Sequence, residues 1–86
     1  MTKKRKKEIR KLFGAYLKKH REDVLKIKSV RQLSFSSDID PSKLSKIEKG
    51  KLDIRYDTLL EVAVTYKLTP DQIFGFKIDF WQHEIS

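Results

Sequence analysis

The sequence predicts an all-α fold, a compact domain of five short helices, and three observations predict it. Apolar residues at Ile9, Leu12, Phe13, Tyr16 and Leu17 follow the three-four spacing of a helix with one buried stripe. The pairs Asp40-Pro41 and Thr69-Pro70 set a capping side chain directly ahead of a proline, the arrangement of a helix start. With 86 residues and no cysteine, the chain must rely on one small core of packed helices, without disulfides or thiolate-bound metal.

The first helix is read from Ile9, with Lys11, Lys18 and Lys19 on its outer face. Residues 1–8 form a basic extension, Lys3, Lys4, Arg5, Lys6 and Lys7 in succession, which either adds a frayed turn or stays disordered. The pattern breaks at "REDVLKIK". Ser29 then caps a short second helix, and Gln32, three residues on, completes a capping box. Asp38 stops that helix, because its side chain tolerates the left-handed conformation. Asp40 caps the third helix, Pro41 takes its first position, and Gly50 ends it just past Lys49. A fourth helix carries Tyr56, Leu59, Leu60, Val62, Ala63 and Tyr66, and a fifth follows in "TPDQIF", where Thr69 and Gln72 make a second box. The main domain is thus 9–75. Beyond it Phe76, Ile78 and Phe80 alternate, which fits a short strand or an extended tail over 76–86 lying on the core.

The third helix holds the chemistry. At about 100° per residue, Leu44, Ile47 and Glu48 share one side, while Ser42, Ser45, Lys46 and Lys49 lie on the other. The stripe of the first helix continues from Leu17 to Arg21, so an acid and a cation each face inward. A partly buried ion pair between Arg21 and Glu48 is the economical arrangement. The competing reading lays the stem of Arg21 on the core and leaves its head in water. With Glu48 turned in, the outward face presents hydroxyls and amines and no acid. Lysine can donate to guanine O6 and N7, serine to several bases, and a major groove admits one helix.

The formal charge of +8 and a pI near 9.8 suit a polyanionic partner. No apolar run follows the basic start and no stretch is long enough to span a bilayer, so a cytoplasmic protein with no membrane role is expected. His20 and His83 lie far apart without neighbouring ligands or a nucleophile, and both read as surface residues. With neither a glycine-rich phosphate loop nor a metal spacing, the expectation is no enzyme, no cofactor, no metal and no small-molecule ligand.

The run "SVRQLSFSSDIDPSKLSKIEKGKLDIRYDTLLEVAVTYKLTPDQIF" resembles the helix-turn-helix domain of the phage-repressor and Cro superfamily, the XRE type. Its most specific pieces are "KIEKGK", the helix followed by "LTPDQIF", and an arginine where the family pairs one with that glutamate. The resemblance implies a lambda-repressor-like fold and a transcriptional regulator that binds double-stranded DNA, as a homodimer on an inverted repeat. It makes Val30 to Ser37 the first helix of the motif and Pro41 to Lys49 the recognition helix. Ser42, Ser45 and Lys46 then read bases, and Pro41 offers apolar contact alone. Ser29, Val30, Arg31, Lys43, Lys49, Lys51 and Arg55 contact the DNA backbone, positioning without specifying. The segment from Arg21 to Ser29 is about two residues longer than is usual in the family, Asp38 replaces a glycine and Ser34 an alanine.

A second class is a protein-interaction module, an antitoxin or accessory subunit, that uses the aromatic tail Phe76, Phe80 and Trp81. Packing of that tail within the chain or across a dimer competes with this role. Phe35, two positions beyond Leu33, is expected to be exposed, with edge packing against the first helix favoured over a partner contact.

Overall fold

Helix α1 spans Lys3–Asp23 in the computed structural model, which describes residues 1–74. It therefore begins at Lys3 rather than Ile9, and the basic residues extend the helix, the first of the two expected alternatives, by more than the single turn expected. Lysine and arginine are good helix formers, and Thr2 supplies a cap: its hydroxyl accepts from the Arg5 amide at 3.2 Å. Phe13 and Leu17 are buried as expected, but Leu12 stands on the solvent side.

Four shorter helices follow: α2 (Val30–Ser34), α3 (Pro41–Glu48), α4 (Tyr56–Thr65) and α5 (Pro70–Phe74). Among the described residues there is no strand. Helix α2 is shorter than predicted. The amides of Phe35, Ser36 and Ser37 bond the carbonyls of Gln32, Leu33 and Ser34, so the chain leaves α2 through tight right-handed turns. Asp38 consequently needs no left-handed backbone and has none; the described non-glycine residues with positive φ are Lys26 and Lys67. Ser37 pins this turn, since its hydroxyl meets Thr65 Oγ1 at 2.7 Å and accepts from the Ile39 amide at 3.0 Å.

The caps of α3 follow the sequence. Asp40 accepts from the Lys43 amide at 2.9 Å, and Pro41 opens the first turn. At the other end Gly50 has φ +71°, the Gly50 amide bonds Ile47 O and the Lys51 amide bonds Lys46 O, a paired stop that satisfies two otherwise free carbonyls. Lys67 plays the same part for α4 at φ +53°, with its own amide on Val64 O and the Leu68 amide on Ala63 O. The two capping boxes are each half made. Ser29 accepts from the Gln32 amide without a side-chain return, whereas Gln72 Oε1 accepts from the Thr69 amide while the Thr69 hydroxyl turns to Asp71.

Helix α3 packs on α1 and α2, and the core gathers Phe13, Leu17, Leu33, Ile39, Leu44, Ile47, Val62 and Tyr66. Gly14 allows the closest approach. A Cβ there would lie 2.6 Å from Ile47 O and would collide with Glu48 O, so the end of α3 rests directly on the α1 backbone.

Two expectations fail. His20 is buried rather than on the surface, because its Nε2–H caps the Tyr66 carbonyl at the end of α4 at 2.9 Å while its ring stacks with Tyr16. Phe35 is 80% exposed, in keeping with its place two positions beyond Leu33, and the edge packing favoured for it is not made. Tyr56 and Leu60, counted in the apolar pattern of α4, are exposed as well. The strand or tail read over 76–86, with Phe76, Ile78, Phe80, Trp81 and His83, lies outside the described residues. Among the described residues, no helix is long and apolar enough to cross a membrane.

Candidate functional site

Glu48 sits at the last position of α3 and turns inward, as its place beside Leu44 and Ile47 requires. Arg21, near the end of α1, meets it in a two-pronged contact: Nε–H donates to Oε2 and an Nη2–H to Oε1, both at 2.9 Å. The side chains are 5% and 6% exposed. Arg21 spends a further donor on the Ile27 carbonyl at 3.0 Å, which ties down the longer connection between α1 and α2.

Tyr66 is the member that sequence reasoning missed. Its hydroxyl donates to Glu48 Oε2 at 2.7 Å from the end of α4, so one carboxylate joins α1, α3 and α4. The phenol looked like one more core aromatic, and only its polar tip distinguishes it. Burial first, then the bond to Glu48, push the Tyr66 pKa well above its ordinary range. The hydrogen bonds to Glu48 raise that of Arg21, against burial acting the other way. The cluster thus holds a charged guanidinium, a carboxylate and a neutral phenol that donates.

With this inner side fixed, Pro41, Ser42, Lys43, Lys46 and Lys49 of α3 and its cap stand exposed on the outer side. Ser45 does not join them fully. It is half-buried and lines a groove with Ala15, Lys18, Arg21, Val30 and Glu48, so it borders the ion pair more than the open face. The only acid in α3 is the one engaged by Arg21, and Asp40 ahead of it is engaged as a cap.

The residues assigned to backbone contacts surround this face. Arg31, Lys51 and Arg55 are exposed, as is Ser29, while Val30 is half-buried. Ser29 takes the Gln32 amide on its hydroxyl and the Leu33 amide on its carbonyl, which leaves the amides of Val30 and Arg31 without a protein acceptor among the described residues. Arg55 occupies the cap position of α4 and makes no side-chain capping bond. A serine or aspartate would suit that position better, and a cation beside the positive end of a helix is unfavourable.

Among the described residues the arrangement offers an acid-poor helix face flanked by cations. Set beside protein-family models, curated proteins and solved structures, the chain matches none of them.

Proposed function

We propose that the chain is a sequence-specific, non-enzymatic DNA-binding regulator of the phage-repressor and Cro-like helix-turn-helix type, with a lambda-repressor-like fold, acting as a homodimer on an inverted repeat. Helix α3 enters the major groove, Ser42 and Lys46 reach base edges, and Ser45 contributes at the margin. Ser29, Val30, Arg31, Lys43, Lys49, Lys51 and Arg55 hold the phosphate backbone.

One observation carries this reading: the contact of Arg21 with Glu48 withdraws the single acid of α3, leaving only hydroxyls, amines and a proline on the outer face. Selection of duplex sites in vitro at stated salt tests it. A palindromic motif is expected, with half-sites about 34 Å apart. Lys46→Ala should relax preference at one position, costing about 1–3 kcal/mol of discrimination, whereas Lys51→Ala and Arg55→Ala should weaken all sequences alike. Selection without a shared motif, or an unchanged preference in Lys46→Ala, refutes the assignment.

A protein-interaction module, such as an antitoxin or accessory subunit, is favoured by one observation. Tyr56, Leu60 and Val64 lie one turn apart on α4 and are all exposed. A chain that binds no duplex, yet forms a protein complex abolished by Leu60→Glu, would support this second reading instead.

A further inference from the structure

The first turns of α1 and the turn after α3 meet in a cleft lined by Lys7, Arg10, Lys11, Lys49, Gly50 and Lys51. All but one of these residues are cationic. Among the described residues none of the five cations has an ion-pair partner.

Two features show that these charges are held together by the fold. Gly50, at φ +71°, lies so close to α1 that a Cβ would stand 2.6 Å from Lys11 Cα and 2.7 Å from Lys11 N. The turn bearing Lys49 and Lys51 is therefore seated on the α1 backbone, and no other residue type would allow it. Arg10 supplies the second feature. It lines both this cleft and a second groove shared with Ile9, Phe13, Asp53, Ile54, Leu59 and Ile73, and its Nε is buried with no protein acceptor among the described residues. A buried guanidinium N–H without a protein partner is costly, which favours a ligand that brings an acceptor to this end of the cleft.

We propose that this cleft is a phosphate-binding site for the nucleic-acid backbone, which extends the duplex contact beyond the α3 face along the basic turns of α1. The proposal rests on duplex DNA being the partner. A phosphate in the cleft can accept from the Arg10 guanidinium and screens the like charges that α1 and the turn bring together. Contact here is blind to sequence, because it reaches phosphate and no base edge.

The test compares the full chain with Lys7→Gln/Lys11→Gln, two exposed positions outside the core. Affinity for a selected duplex and for a random one is measured across a salt series. The double variant should weaken both duplexes alike, leave base preference unchanged, and lower the slope of log affinity against log salt by at least about 0.9, the value of one phosphate. Lys7→Arg/Lys11→Arg should keep the slope. Lys19→Gln/Lys67→Gln removes the same charge from positions outside the cleft and should also keep it. If the parent chain binds duplexes with a preference that depends on Lys46, but the cleft variant keeps its slope or loses no more than the Lys19/Lys67 control, the cleft proposal is overturned while the DNA reading stands. If the parent chain binds no duplex, both fall together.

Discussion

Glu48 accepts three hydrogen bonds, two from Arg21 and one from Tyr66, and this small constellation decides which way α3 faces. Removing one partner leaves a buried charge unmet, so Arg21→Ala or Glu48→Ala should lower stability by about 3–5 kcal/mol in urea unfolding. The double variant Arg21→Met/Glu48→Leu should lie closer to the parent than either single change, because an apolar pair removes both desolvation penalties at once. Tyr66→Phe loses a bond to a charged acceptor and should cost about 1.5–3 kcal/mol. It also has a pH signature. The Tyr66 pKa is raised above the unfolded value of 10.0, so its contribution is whole below that pH. Above it the unfolded chain releases a proton that the folded chain retains, and stability falls as pH rises toward the folded value. Thermal melts taken across pH 10 should therefore decline less steeply in Tyr66→Phe than in the parent. Much of this was legible in the sequence, because helical spacing alone turned Glu48 and Arg21 inward. Tyr66 and His20 were not, since each finds its partner on another helix at a separation that periodicity does not encode.

At the scale of the elements, the starts of α3 and α5 were written in Asp40-Pro41 and Thr69-Pro70, where cap and proline act over three residues of chain. The end of α2 was not, because its exit depends on Ser37 reaching Thr65 in α4. The start of α1 was misplaced for a different reason: Lys3 to Lys7 have no apolar periodicity, yet lysine and arginine form helix well once Thr2 caps the first turn. Gly14 carries a prediction about how elements fit. Alanine would favour the helix by about 1 kcal/mol, but its Cβ would strike the Ile47 and Glu48 carbonyls, which cannot rotate away. Gly14→Ala should therefore lower the unfolding midpoint, with a net loss of roughly 1–3 kcal/mol as α1 and α3 are forced apart. Arg55 carries another. Arg55→Ser supplies the cap that α4 lacks and removes a cation from its positive end, so stability should rise by about 1 kcal/mol while affinity for every duplex falls. A variant that gains stability and retains binding would show that Arg55 touches no phosphate.

For the molecule as a whole, the charge of +8 suits a polyanionic partner without saying where one would lie. The fold assigns the positions. Asp40 and Glu48 are engaged in a cap and an ion pair, and the seat of Gly50 on α1 adds Lys7, Arg10 and Lys11 to Lys49 and Lys51. That second gathering was out of reach of a linear reading, because its halves are distant in the chain and meet only where a missing side chain lets two backbones touch. The five-helix bundle, by contrast, followed from apolar spacing and caps, both of which are local.

The inward anchoring of α3 also separates two properties that are entangled in many proteins. Ser42, Lys43 and Lys46 are exposed, while Leu44 and Ile47 enter the core and Glu48 meets Arg21 from the opposite side of the same helix. Positions 42, 43 and 46 are thus a rewritable surface on a fixed mount. New partner preferences can be sought by randomising these three codons, with every interior contact of the parent preserved.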